Sequence, residues 1–352
     1  MAIAIDQNRC NKCGVCKKAC PFGAIEIIDI ANGYPVLNAA CKMCGICIPA
    51  CRQSAIIEID DVRQVVDKEA WQGILVFGET TGENLHPVVR ELVGKALQLA
   101  GRAPAGADMT QGDMAGCEVS AVVIGNCTGH AAGELLTYGV DKVFSYEHDA
   151  FGYFKADSFA VCFADAIGHI HPAIVLTGAT SVGRSLAPRV STRLRTGLTA
   201  DCTGLELNKE GDLVQTRPAF GGNIMAEIIT PNSRPQFATV RYKVMDQAEI
   251  VKPHGGIIHM AVTEAMIRSG IEPVSAESKP PAENISEAEI LVVGGKGLKA
   301  KDDLKMISAL AEKLGGQYAV TRPLVEAGWA PQNRQIGLSG RTVKPKLLIT
   351  FG

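Results

Sequence analysis

The sequence lacks a long apolar run and a basic leader, and it carries little aromatic surface. No stretch reaches the ~18 consecutive apolar residues of a membrane span. The N-terminal MAIAIDQNRC has neither a basic segment nor an apolar core for a secretory signal. Aromatic residues make up only 5% of the chain, leaving few flat surfaces on which single-stranded bases could stack. Charge of one sign is lacking too. There are 35 Lys and Arg against 37 Asp and Glu, a formal net charge of −2, without the basic field that phosphate backbones require. Neither a membrane span nor a nucleic-acid partner is therefore expected, and the expected location is the cytoplasm. The 352 residues, 47% of them hydrophobic, suffice for two or three domains with their own cores. Disorder and a disulfide-stapled miniprotein are both excluded by that composition.

Cysteine is where the sequence is rich. Of twelve, eight lie within the first 51 residues. In a cytoplasmic chain such clustering points to metal rather than to disulfides. Cys10, Cys13, Cys16 and Cys20 follow C-x2-C-x2-C-x3-C, with Pro21 next. Cys41, Cys44, Cys47 and Cys51 repeat the spacing, with Arg52 in place of proline. Two-residue gaps wrap a short loop around one cubane, and the fourth cysteine, expected at the start of a helix, reaches the other. The spacing assigns Cys10, Cys13, Cys16 and Cys51 to one [4Fe–4S] cluster, and Cys41, Cys44, Cys47 and Cys20 to a second. Zinc ribbons instead pair two distant CxxC knuckles. A short apolar strand follows each run, at 24–28 and 55–59, and Gly14 and Gly45 hold matching loop positions. The block reads as a pseudo-twofold repeat and resembles a bacterial two-cluster ferredoxin domain. Lys12, Lys17, Lys18, Lys42 and Arg52 form either a solvated basic face or a docking patch.

After a charged stretch at 61–70 the pattern changes to β/α alternation. Apolar strands are expected at 74–77, 121–124, 142–146 and 173–177, with helices between them, such as 87–100. That order predicts a mostly parallel, helix-covered sheet. From about 198 to 245 the texture is β-rich, with a turn at Gly221-Gly222, and a linker is expected between 272 and 287. The strand–helix turn from Thr177 to Arg184 invites either an anion-binding reading or a plain packing reading. His169 and His171 do not share a helix face, so a metal site there is not expected. Cys117, Cys127, Cys162 and Cys202 lie in apolar contexts and read as buried small hydrophobes.

The last block runs from a strand at 290–293 into Gly294-Gly295-Lys296-Gly297 and a helix at 301–314. A glycine turn between strand and helix lets backbone amides approach a pyrophosphate. Downstream come Thr321-Arg322-Pro323, then Gln335-Ile336-Gly337-Leu338-Ser339-Gly340, then a strand at 346–351. This block resembles the FAD-binding domain of the electron-transfer flavoprotein alpha subunit. The middle block, with its TSVGRSLAPR stretch at 180–189, resembles that family's first domain. The resemblance covers roughly residues 72–352, with the ferredoxin block as an N-terminal addition found in part of the family.

The resemblance implies an α/β protein of three parts. They are a two-cluster ferredoxin-like α+β domain at 1–62, a Rossmann-like α/β domain at 72–271 after a linker at 63–71, and an FAD-binding α/β domain at 288–352. The family's FAD domain continues past the strand at 346–351, so 288–352 is expected to be its N-terminal part. Gly295, Lys296 and Gly297 are implied near the FAD pyrophosphate or ribose. Arg322 is implied at the flavin edge, where a fixed cation favours anionic reduced flavin. Thr321 and Ser339 are implied as hydrogen-bond donors, and Ile336, Gly337 and Leu338 as backbone contacts. The implied function is an electron-carrying alpha subunit with FAD and two [4Fe–4S] clusters, taking part in flavin-based electron bifurcation. Its implied partners are a beta subunit with a second FAD and an NADH site, a flavin-dependent dehydrogenase of acyl-CoA or 2-hydroxy-acid type, and ferredoxin. The alternative is a non-bifurcating flavoprotein whose ferredoxin domain is a docking or relay module. No residue set for substrate acid–base chemistry is visible, so the dehydrogenase active site is expected on another chain.

Overall fold

The computed structural model describes residues 2–7, 9–27, 33–38, 40–59, 66–102, 114, 116–276 and 284–352. The chain divides into two compact units, Met1–Val66 and Asp67–Gly352. The expected strand end at 28, linker residues 63–65 and linker residues 277–283 lie outside the described residues.

The first unit repeats one small pattern twice. Its elements are β1 (Ala2–Ile5), α1 (Val15–Ala19), β2 (Ile25–Ile27), β3 (Pro35–Leu37), α2 (Cys47–Ala50) and β4 (Ile56–Ile59). β1 pairs antiparallel with β4, Ile5 opposite Ile56, and β2 pairs antiparallel with β3, Ile25 opposite Leu37. Ile25, Ile56, Cys16 and Cys47 make a core too small to hold much chain by apolar burial alone.

The second unit is built on a seven-stranded, wholly parallel sheet. In chain order it comprises β5 (Ile74–Phe77), a small hairpin of β6 (Thr80–Thr81) and β7 (Asn84–Leu85), α3 (Val88–Leu99), β8 (Val119–Gly125), α4 (Gly129–Thr137), β9 (Lys142–Glu147), α5 (Ala156–Ile170), β10 (Ile174–Gly178), α6 (Ser181–Arg193) and β11 (Leu198–Cys202). There follow β12 (Gly204–Leu207), β13 (Leu213–Ala219), β14 (Ile224–Ile228), β15 (Gln236–Val240), β16 (Gly256–His259) and α7 (Glu264–Ile267). The strand order is β11-β15-β10-β5-β8-β9-β16.

Strand β5 explains the layering. It is apolar at every position because helices cover both faces. Ile74 and Val76 point to the face covered by α3 and α4, and Leu75 and Phe77 to the face covered by α5 and α6. On α3 the buried residues Val88, Val89, Leu92, Val93, Ala96 and Leu99 form one stripe at helical spacing. Strands β12–β14 form a separate antiparallel sheet, which accounts for the β-rich texture of that stretch. Asp212, in the β12–β13 turn, is buried between Arg234 at 2.6 Å and Lys68 at 2.9 Å. Lys68 and Trp71 therefore belong to this unit rather than to a free linker.

The last part of the unit is a three-stranded parallel sheet. Its elements are β17 (Ile290–Gly294), α8 (Asp303–Lys313), β18 (Gln317–Val320), α9 (Arg322–Glu326) and β19 (Leu347–Phe351), in strand order β18-β17-β19. Val292 packs with Ile307 and Ala311 of α8, whereas Leu291 and Val293 pack with Ile285 and Ala319 on the opposite face. Ile285 is fully buried, so residues 284–287 are part of this layer. Glu287 accepts hydrogen bonds from Tyr242 and Lys243, and Lys344 pairs with Asp246, tying the layer to the larger sheet.

Candidate functional site

The eight clustered cysteines line two separate cavities. One is lined by Cys10, Cys13, Cys16 and Cys51 together with Ile5, Pro35 and Ile56. The other is lined by Cys20, Cys41, Cys44 and Cys47 together with Pro21, Phe22 and Lys42. Each cavity thus takes three cysteines from one run and the fourth from the other. The loops match residue for residue: Gly14 and Gly45 sit at φ 71° and 74°, and Lys12 and Met43 are also left-handed. Glycine adopts that conformation without the steric cost a side chain would meet.

The helical placement of the fourth cysteine differs from expectation. Cys20 and Cys51 follow α1 and α2 in extended backbone, whereas Cys16 and Cys47 sit in the first turns. One short helix spans the x3 gap, so the fourth cysteine is delivered as the chain leaves it. There the Ala24 and Ala55 amides donate to the Cys20 and Cys51 sulfurs, at 3.3 and 3.4 Å.

The electrostatics fit a cationic cluster core. Burial raises the thiol pKa of Cys16, and neighbouring Cys10 and Cys13 add to the rise. Burial also raises Cys47, with Cys20, Cys41 and Cys44 adding to it. Four thiolates around one cavity repel one another unless a polycation sits between them. Burial pushes Cys51 up as well, but the amides around it outweigh that and hold its thiol below the ordinary value. Among the described residues no three His, Cys, Asp or Glu side chains converge on a single metal ion.

The second candidate site is the carboxyl edge of the three-stranded sheet, where parallel α/β sheets bind ligands. Backbone hydrogen bonds bring its segments together. Thr321 N donates to Gly294 O at 3.0 Å, Gly295 N to Phe351 O at 2.7 Å, and Ile336 N to Val320 O at 3.0 Å. Gly295, Lys296, Gly297, Thr321, Arg322 and the Ile336–Ser339 loop therefore share one edge. A Cβ on Gly297 would stand 2.6 Å from Gly352 Cα, so only glycine fits that turn. Lys296 is exposed. Arg322 opens α9, is 63% exposed, and donates to Glu326 at 2.7 Å. Ser339 Oγ accepts a hydrogen bond from the buried Gln335. Sequence reasoning quoted Gln335 but gave it no role. The open edge, the glycine cradle and the nearby cations fit a dinucleotide with a flat ring system, so the residues present suit FAD.

At the turn from Thr177 to Arg184, Thr180 caps α6 through Gly183 N and donates to the buried carboxylate of Glu79. Arg184 pairs with Asp201. The chain's own carboxylate sits at that helix start, and a Cβ on Gly183 would lie 1.9 Å from Gly178 O, so the packing reading holds. Cys162 and Cys202 are buried, and burial pushes each thiol up to about 12. Cys117, expected buried, is half-buried, and desolvation pushes its thiol up to about 11. Cys127 is exposed, contrary to expectation, because it follows the carboxyl end of β8. His169 bonds to the Asp165 carbonyl and His171 packs edge-on against Trp71.

A ferredoxin-like unit with paired cysteine cavities, followed by a parallel-sheet flavoprotein, defines an iron–sulfur flavoprotein of the electron-carrier class. Family comparison is specific. Residues 74–265 match the electron transfer flavoprotein domain, 284–352 the electron transfer flavoprotein FAD-binding domain, and 3–26 a 4Fe-4S binding domain. The chain is 45% identical to the lactate dehydrogenase (NAD(+),ferredoxin) subunit LctC of Acetobacterium woodii, over 95% of this chain and 76% of that one. It is 36% identical to the electron transfer flavoprotein subunit alpha of Clostridium acetobutylicum, over 82% of this chain and 83% of that one. It is 37% identical to protein FixB of Azorhizobium caulinodans, over 81% of this chain and 75% of that one. The chain belongs to the electron transfer flavoprotein family, as an alpha-type electron-transfer subunit bearing a ferredoxin domain. No helix among the described residues is long and apolar enough to cross a membrane.

Proposed function

We propose that this chain is the alpha subunit of an electron-bifurcating flavoprotein complex. The observation that carries the reading is the pair of four-cysteine cavities on a chain whose remainder is of electron transfer flavoprotein type. The name of the Acetobacterium relative, which joins NAD(+) with ferredoxin in one dehydrogenase, supports it. Cys10, Cys13, Cys16 and Cys51 hold one [4Fe–4S] cluster; Cys20, Cys41, Cys44 and Cys47 hold the other. When bound, FAD and the clusters supply the one-electron steps that split a hydride's two electrons between a high-potential and a low-potential acceptor.

The chain's own groups bind and orient these carriers. The Gly295–Gly297 turn lets backbone approach the pyrophosphate, with Lys296 as counter-charge. Arg322 offers a fixed cation to the flavin edge and favours the form with added negative charge. Thr321, Ser339 and the Ile336–Leu338 backbone supply hydrogen bonds. Its partners are a beta subunit with a second FAD and the NADH site, a flavin-dependent dehydrogenase acting on an acyl-CoA or 2-hydroxy acid, and ferredoxin. Anaerobic copurification with peptide identification tests the partner set, and deleting residues 1–66 tests the division of labour. The truncated complex is expected to keep NADH-to-flavin transfer and lose ferredoxin reduction. Ferredoxin reduction that survives the deletion contradicts the reading.

A further inference from the structure

The turn Phe220–Gly222 joins β13 to β14, more than a hundred residues before the FAD-edge loop, yet it touches that loop. A Cβ placed on Gly222 would stand 2.7 Å from Leu338 Cδ1. Gly222 is left-handed at φ 90° and can pass this close only because it has no side chain. The hairpin tip is therefore seated at the rim of the edge that carries Gly295, Thr321 and Ser339.

Phe220 is unusual in two independent ways. Its φ is +47°, a conformation that bulky residues rarely adopt and that tends to persist at ligand sites. Its side chain is 83% exposed, the most exposed aromatic among the described residues. Leu338, which the hairpin tip touches, and Ile224 and Met225 at the start of β14 are each more than half exposed. A strained backbone that leaves a phenyl ring open to solvent, at a hairpin tip that rests on the half-exposed Leu338, is costly in water and suits a flat apolar partner. The edge beside it is the one that suits FAD, whose ring system has that shape.

Resting on the FAD-site reading above, we propose that Phe220 is a cofactor-contact residue, the aromatic cover that the β13–β14 hairpin lays against FAD. Leu338 is the floor on which the hairpin tip rests. The contact is between ring faces, worth one aromatic stack, and supplies no bond-making chemistry. It adds to FAD affinity and shields one part of the cofactor from water.

The test uses the full chain in complex with its beta subunit, and reads FAD release and flavin fluorescence. Phe220→Ala is expected to speed FAD loss from this site roughly 3- to 10-fold, the range of a single aromatic stack, and to relieve fluorescence quenching. Phe220→Tyr is expected to restore both. Ile228→Ala, at the far end of β14 from the turn, is the control for general loosening of the hairpin and is expected to change neither. Thermal unfolding of each variant reports whether the fold is intact. If FAD is bound at this site and Phe220→Ala leaves release and fluorescence as in wild type, the inference is overturned while the FAD-site reading stands. If Ile228→Ala matches Phe220→Ala, the effect is general to the hairpin and the inference is again overturned. If wild type holds no FAD at this edge, the underlying reading fails and takes the inference with it.

Discussion

Removing Cys20 separates crossed from uncrossed ligation, and the answer is countable. Cys20 lies four residues from Cys16 in sequence but lines the cavity of Cys41, Cys44 and Cys47. Each cavity presents four thiols, so wild type is expected to hold about eight iron and about eight labile sulfides per chain. Cys20→Ala should damage one centre and bring iron down to about four, or to an intermediate value where a three-iron remnant survives. The double variants decide which centre was lost. Cys20→Ala with Cys44→Ala strikes one cavity twice and should lose no more iron than the worse single variant. Cys20→Ala with Cys13→Ala strikes both cavities and should lose nearly all of it. Non-additivity within a shared unit and additivity between separate ones is the general expectation. Iron and sulfide analysis of anaerobically purified protein, with low-temperature EPR of the reduced state, gives the count. The reverse pattern, with the Cys13 pair losing one centre and the Cys44 pair losing both, refutes the crossed arrangement.

Three further outcomes follow from the geometry. Arg322→Ala should lower the potential of the FAD in this chain by roughly 40 mV or more, the order of one unit charge at contact distance in water. Lysine should restore only part of that shift, because it lacks the planar fork; redox titration reads both. Gly183→Ala should destabilise the second unit by about 3 kcal/mol in chemical denaturation, since its Cβ would meet the Gly178 carbonyl and no flexible side chain can yield. Burial raises the Glu79 pKa, partly offset by the Thr180 hydrogen bond, so the fold favours the neutral acid. That contribution is present below the unfolded-state pKa and fades as pH rises through the folded one. Glu79→Gln should therefore gain stability relative to wild type as pH rises above the ordinary carboxylate range, measured by thermal unfolding across pH.

Much of the architecture was legible because period and punctuation agree. The all-apolar run Ile74-Leu75-Val76-Phe77 reads as a strand, and it is one, covered by helices on both faces. The stripe on α3 reads directly as a helix packed on that sheet. The cysteine runs carry their own spacing rule, and the residues it groups together are those that line each cavity. Other features depend on contacts that sequence separation hides. That Cys20 and Cys51 leave a helix rather than open one is set by the length of a single short turn. Exposure of Cys127 depends on where β8 stops, and apolar neighbours do not report that. The anion-like turn at Thr180 looked open because its occupant, Glu79, lies a hundred residues earlier. The seating of Gly222 on Leu338 is likewise a tertiary event.

The most direct test of the central claim is coupled electron transfer in the complete complex of this chain, its beta subunit and the dehydrogenase. NADH, the dehydrogenase's high-potential acceptor and low-potential ferredoxin are supplied together under anaerobic conditions, and then the acceptor is withheld. NADH alone is too weak a reductant for the low-potential branch, so the downhill electron must drive the uphill one. The account predicts ferredoxin reduction in step with acceptor reduction, and none when the acceptor is absent. Ferredoxin reduction that proceeds equally without acceptor, or never occurs with it, would contradict bifurcation and leave a plain electron carrier.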